Sequence, residues 1–166
     1  PGTYAFSHDL VRETLYEDLP ATRRMELHRT VGRELEDLFQ DDLEPHLAEI
    51  AHHLAQAAPI GESERAVDYL VRAADRARAV LAYEDAAGLY KRALQLLGPT
   101  EAASERSADI LLRLGDVQSR AGDTENARKS FEQAAAVARR AGDHEILTRA
   151  ALGYVTGAVP YLGFGG

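Results

Sequence analysis

Cysteine and tryptophan are absent from this 166-residue chain, methionine occurs once and proline only six times. Without Cys there is neither a disulfide framework nor a thiolate metal site. The scarcity of Pro, set against 29 Ala and 21 Leu, excludes a β-rich fold and points to helix throughout. No apolar run approaches the roughly 18 residues that a membrane span needs, and the amino end lacks the basic-then-apolar order of a secretory signal. A cytoplasmic location and no membrane contact are therefore expected. An excess of basic residues is also missing: the formal net charge is −8, so the chain offers no electrostatic footprint for direct nucleic-acid binding. What remains is the length of one ordinary domain.

The acid excess is concentrated at the amino end, where residues 1–45 carry 11 acids and 5 Arg. Phe6-Ser7 followed by Leu10, Val11, Leu15 and Leu19 reads as a helix, with Ser7 as its cap and Phe6 stapled against Val11. From Pro20 to about Phe39, the residues Met25, Leu27, His28, Val31, Leu35 and Leu38 recur at spacings of three and four, which predicts an amphipathic helix. Gln40-Asp41-Asp42 stops it. These two helices form one unit, residues 1–42.

Beyond residue 43 the pattern repeats. Ala74, Ala86, Tyr90 and Ala93 have the relative spacing of Gly115, Ala127, Phe131 and Ala134, with an offset of 41 at each position. Small residues recur where antiparallel helices must approach closely. Leu111, Leu114, Gly115 and then Gly122-Asp123 complete the second copy, the Asp capping the next helix after a tight turn. Residues 108–141 resemble the tetratricopeptide repeat, a helical hairpin of about 34 residues. Residues 67–100 resemble it more loosely, because Leu81-Ala82 stands where a turn glycine is usual and about seven extra residues separate the copies. Upstream, Leu47, Ile50, Ala51 and Leu54, then Ala66, Leu70 and Ala73, outline a degenerate copy. A third helix follows Gly142-Asp143, with Leu147, Ala150, Ala151 and Tyr154 in phase and no partner helix after it, so residues 43–166 are expected to be a truncated array. The fold class expected is all-α, a right-handed superhelix of tetratricopeptide-like hairpins.

Catalytic patterns fail on spacing. His46, Glu49 and His53 share a helical face beside His52, but no His-Glu-x-x-His order exists, and packing or surface histidines are expected instead of a metal site. Lys91 and Lys129-Ser130 lack the glycine-rich loop that cradles phosphate. Ser7-His8-Asp9 holds the residue types of a hydrolytic triad, yet neighbours on a starting helix diverge, and Ser7 fits a cap. Tyr83, Tyr90, Phe131 and Tyr154 are expected to pack helices together. The apolar, glycine-rich tail Val159–Gly166 is a place where the chain could fold back or dimerise. No enzyme activity and no cofactor are expected of this segment.

One charge pattern runs through the copies. The first helix of each carries an acid followed four residues later by Arg: Asp68 and Arg72, Asp109 and Arg113, Glu145 and Arg149. Asp75 and Asp116 add a second acid in two copies. Such pairs are worth only about 0.2 to 0.5 kcal/mol as surface decoration. Their alternative use is to line the groove of a solenoid, with the Arg row receiving acidic side chains of a partner. The candidate groove is thus Asp68, Arg72, Asp75, Asp109, Arg113, Asp116 and Arg149. Leu112 and Asp116 stand where repeats that grip a carboxy-terminal carboxylate use Lys and Asn, which disfavours that ligand class.

The opening Tyr4-Ala5-Phe6-Ser7-His8-Asp9-Leu10-Val11-Arg12-Glu13-Thr14-Leu15-Tyr16, with Ala21-Thr22-Arg23-Arg24 and Leu27-His28, carries a second resemblance. It is similar to the junction where the winged-helix part of a bacterial multidomain signalling ATPase passes into helical repeats, in the large ATP-binding LuxR-type transcriptional regulators and in repeat-bearing nucleotide cyclases. Leu47-Ala48-Glu49-Ile50-Ala51-His52-His53, Ala82-Tyr83-Glu84-Asp85-Ala86-Ala87 with Arg92-Ala93-Leu94, and Ala150-Ala151-Leu152-Gly153 are similar to the same family's repeats. The resemblance implies a segment that binds a protein or peptide partner, a small inducer, or the parent protein's own ATPase module, and relays that event to ATPase and DNA-binding modules outside this chain. The competing expectations are a passive scaffold or oligomerisation module, and the regulatory segment of a cyclase.

Overall fold

The computed structural model describes residues 16–97 and 101–158. Of the helix expected over Phe6–Leu19, residues 6–15 lie outside the described residues, residues 16–17 are helical, and Asp18 and Leu19 already form the turn before Pro20; the tail Val159–Gly166 also lies outside the described residues. Seven α-helices make up the described part: α1 (Ala21–Leu38), α2 (Leu47–Gln56), α3 (Ser63–Ala79), α4 (Tyr83–Leu96), α5 (Glu101–Arg120), α6 (Thr124–Ala141) and α7 (His144–Ala158). Each packs on the next in sequence, and α5 also touches α7. That order of neighbour contacts is an all-α tetratricopeptide-like array: α3 pairs with α4 and α5 with α6, α7 is laid on the last pair, and α1 and α2 pack in sequence ahead of them.

Three of the described turns share one geometry. At the ends of α3, α5 and α6, residues 81, 122 and 142 take positive φ values of 64°, 81° and 73°. The following amide in each case donates five residues back, Ala82 to Ala77, Asp123 to Gln118 and Asp143 to Ala138, at 2.8–2.9 Å. This left-handed closure satisfies helix carbonyls that would otherwise be orphaned, and glycine adopts it without steric cost. Gly122 and Gly142 obey the rule; Leu81 does not, and its side chain is 68% exposed. The Asp after each glycine then starts the next helix: Asp123 accepts from the Asn126 amide and Asp143 from the Ile146 amide.

The seven-residue excess between the two copies is not a loop. It lengthens α5 at its amino end to 20 residues, so the helix begins well before the repeat frame at residue 108. The extended α5 serves two cores at once. Ile110, Leu114 and Val117 join the cluster built by α2, α3 and α4, whereas Leu111 and Leu112 face Ala127, Phe131, Ala134 and Ala150.

Alanine and glycine set how closely these helices lie. The sharpest case is Phe131, 5% exposed, whose ring is clasped by two glycines from different helices. A Cβ on Gly115 of α5 would stand 2.6 Å from the ring, and one on Gly153 of α7 would stand 2.5 Å from it. Real carbon atoms do not approach so closely, so both positions require glycine for the ring to stay where it is. On α7 the buried side is therefore Ile146, Ala150 and Gly153. Of the residues expected in phase, Leu147, Ala150, Ala151 and Tyr154, the second is buried and the first half-buried, whereas Ala151 and Tyr154 are exposed, which corrects the expectation for those two. The physical reason is that the aromatic ring of α6 selects the face with no side chain.

Candidate functional site

The first helices α3, α5 and α7 carry the charged residues singled out by the repeat pattern, and the structure brings most of them into contact within the chain. Asp75 is the junction. Its carboxylate accepts from the Tyr90 hydroxyl at 2.5 Å and from the Arg113 guanidinium at 2.6 Å, with Arg78 at 3.7 Å. Arg113 also donates to Asp109 at 2.8 Å through its Nε. Thus α3, α4 and α5 are tied by one network. The Tyr90 ring is fully buried, and burial followed by the hydrogen bond to Asp75 pushes its pKa up. Burial by itself would lower the Arg113 guanidinium, but Asp109 and Asp75 outweigh that and hold its pKa above the usual value.

The other row residues are more open. Asp68 pairs with Arg106, a residue on the added turns of α5 and therefore outside the repeat frame. The Arg72 guanidinium lies 5.2 Å over the Tyr69 ring and 3.8 Å from Glu44. Asp116 pairs with Arg120 four residues on, at 3.0 Å. Arg149 stands 4.0 Å from Glu145, with both side chains more than half exposed. Exposed pairs of this kind contribute little to stability and remain exchangeable with an outside partner.

A second network joins α1 to α3, and the repeat pattern did not point to it. Glu62, whose side chain is 3% exposed, receives Arg33 at 2.5 Å and Arg65 at 3.0 Å. Arg65 also pairs with Glu36, which in turn accepts from the Tyr69 hydroxyl at 2.5 Å. Burial and then the Glu36 hydrogen bond push the Tyr69 pKa up to about 12. Only the three-residue spacing of Glu62 and Arg65 was visible in the sequence. Arg33 and Glu36 lie 29 residues from their partners, beyond the reach of helical periodicity.

The histidines divide in two. His46, just ahead of α2, stacks on Phe39 with ring centroids 3.5 Å apart and stands 3.9 Å from Glu49. His53 turns instead to α1, where its Nδ1 lies 2.9 Å from Nδ1 of His28; the other ring nitrogen of His28 meets the Tyr16 hydroxyl at 2.9 Å. His52 completes the group, its ring centroid 5.8 Å from that of His28 and 5.4 Å from that of His53. Among the described residues no group of three or more His, Asp or Glu is arranged to hold a metal ion. Nor is any described helix long and apolar enough to cross a membrane.

Tyr90 and Phe131 pack in the core as expected, and Tyr83 is partly buried. Tyr154 is exposed beside an apolar cleft and carries Arg128 5.7 Å over its ring.

Against known proteins, residues 110–145 match the family model of the tetratricopeptide repeat. This interval runs from the core-facing half of α5 through α6 into α7, and contains Gly115, Phe131 and both glycine turns. No curated protein and no solved structure matched the chain. Such repeats generally serve protein–protein interaction, and their signature coincides here with the Phe131 interlock and two left-handed turns. The chain therefore carries a tetratricopeptide-like helical-repeat region, suited to holding other proteins.

Proposed function

We propose that the array is the partner-sensing segment of an ATP-dependent bacterial transcriptional regulator, working in the cytoplasm without a cofactor or catalytic chemistry of its own. Support for the interaction role comes from the repeat match; support for the regulator context comes from the resemblance of residues 1–42 to a winged-helix junction. The described helix of that junction, α1, packs on α2 with Gly32 against Leu54. A displacement of the array would thereby reach the junction through direct contact.

The capture surface is the row Asp68, Arg72, Asp75, Asp109, Arg113, Asp116 and Arg149. The observation that carries this reading is its division of labour. Asp75, Asp109 and Arg113 hold neighbouring hairpins in register, while Arg72 and Arg149 keep exposed guanidiniums at long distances from their nearest carboxylates. Held at fixed spacing by the former, the latter two offer charge to an acidic segment of a protein or peptide, a small inducer, or the parent protein's ATPase module. A ligand that favours one curvature of the array would then shift its equilibrium.

A thermal-shift screen of the full-length protein with acidic peptides, sugars and nucleotides tests this. A saturable stabilisation, lost in the Arg72→Glu/Arg149→Glu double variant, is expected. Absence of stabilisation by every class would leave a passive scaffold or dimerisation module. Flanking coding sequence with a cyclase domain, in place of a phosphate-binding loop and a helix-turn-helix, would overturn the regulator context.

A further inference from the structure

A cleft of about 600 Å³ opens where the last turns of α3 and the first three turns of α4 meet Ala48 of α2. It is not the charged row seen from another side. At about 100° per residue, Ala73, Ala77 and Val80 lie about 140° around α3 from Asp68, Arg72 and Asp75. The cleft also has no role in the contacts described above.

Gly88, on its wall, differs from the other glycines inside helices. Gly32, Gly115 and Gly153 also lie inside helices, and at each a Cβ would come within about 3 Å of a side chain: Leu54 for the first, Phe131 for the other two. Glycine there makes room for a neighbour. At Gly88 a Cβ would meet nothing within 4 Å, and the residue does not have a positive φ. A glycine inside a helix costs roughly 0.5–1 kcal/mol against alanine. Neither the backbone nor internal packing gives a reason to bear that cost here. Val80, on the same cleft, is 68% exposed, so the apolar wall continues outward.

The charges around this wall are ordered. Glu84 and Asp85 stand in the first turn of α4, and Arg92 lies about 12 Å further along its axis. Among the described residues none of these three makes an ion pair, and Arg76 on the facing wall reaches only Glu44, at 3.9 Å.

We propose that the cleft receives an amphipathic helix of a partner protein, about two turns long at the contact and antiparallel to α4. An acidic side chain in its first turn meets Arg92, and small apolar side chains pass over Gly88. A basic side chain in its last turn meets Glu84 and Asp85. Acid early and base late is also the order that a helix's own dipole favours, so the complementary partner is a stable helix in its own right. Docking of an apolar helical face into a groove supplies the remaining energy.

A displayed library of short helical peptides, randomised in charge and apolar positions, provides the test. Selection on the full chain is expected to enrich acid-early, base-late helices whose binding falls at least tenfold in Gly88→Leu and separately in Arg92→Glu, and is unaffected in Arg72→Glu. The Arg92→Glu variant, at a half-buried side chain that makes no ion pair or hydrogen bond among the described residues, keeps the test decisive if Gly88→Leu fails to fold. Enrichment that is indifferent to charge order, binding that survives both substitutions, or no enrichment over Gly88→Leu would each overturn the proposal. Self-association of the wild-type chain in sedimentation, abolished by Gly88→Leu, would replace the partner helix with a second copy. Loss of binding in Arg72→Glu would instead assign the selected peptides to the charged row.

Discussion

Leu81 occupies a backbone state that the other hairpin ends give to glycine. Its φ of 64° costs an L-residue with a side chain roughly 1–2 kcal/mol, and the exposed leucine recovers none of this through packing. Replacing it removes the steric penalty but adds the chain entropy of glycine, which offsets part of the gain. Leu81→Gly is expected to raise unfolding stability by about 0.5–1 kcal/mol in urea titration; a loss of stability would contradict the strain. The turn was legible in the sequence because Leu81-Ala82 aligns with Gly122-Asp123. What could not be read was whether the chain would avoid the left-handed turn or force leucine through it. The backbone hydrogen bonds decide this, since the 82-to-77 closure is identical to those made after Gly122 and Gly142.

The contact between α1 and α2 has a polarity of its own, set by protons. The two Nδ1 atoms of His28 and His53 face one another at 2.9 Å, so their bond exists only while one carries a proton and the other accepts. Tyr16 and Arg24 lie on the α1 side, Glu49 and His52 on α2, and Arg92 acts from α4. Burial lowers the pKa of all three histidines; the neighbouring histidines lower His28 and His53 further, Arg92 lowers His52, and Glu49 opposes the shift at His53. The folded state therefore binds fewer protons than the unfolded chain, whose histidines titrate near about 6.5. Stability is complete above that pH and declines as pH falls through the lowered folded values. The melting temperature is expected to drop between pH 7 and pH 5, and the drop to shrink in His28→Asn/His53→Asn. An unchanged slope in that double variant would exclude the pair as its source. At the scale of elements the sequence was informative about helix placement: the expected Pro20–Phe39 helix appears as Ala21–Leu38. It gave no sign that His53 would leave the face of His46 and Glu49, because that choice depends on a ring delivered by α1, 25 residues away.

Across the whole molecule, coupling between hairpins runs through a few shared groups. Asp75→Ala leaves the buried Tyr90 hydroxyl and the Arg113 guanidinium short of an acceptor, so a loss of about 1–3 kcal/mol is expected. An exposed pair such as Asp116 and Arg120 is expected to contribute less than about 1 kcal/mol. Chemical denaturation of Asp75→Ala, Arg113→Ala and the double variant measures the difference. Additive losses would show that the network does not act as a unit. Arg113 is for the same reason unsuited to a test of partner capture, since Arg113→Glu would place a third carboxylate against Asp75 and Asp109 and unsettle the array itself. The row was legible as a period-four charge pattern; its separation into braces and open positions was not, because Arg106 and Tyr90 enter it from outside the pattern.

The ring of Phe131, held between a glycine of α5 and a glycine of α7, also acts as a spacer with a fixed thickness. The distance and tilt between successive first helices are then dictated by the flat face of one benzene ring, with no flexible side chain intervening. Compressing the array at that point would require squeezing an aromatic ring, and widening it would open a void beside one. The pitch of the solenoid is accordingly set at this joint by a ring against bare backbone, whereas at the earlier one, where Ala74 occupies the position of Gly115, the bridges of Asp75 to Tyr90 and Arg113 hold the helices.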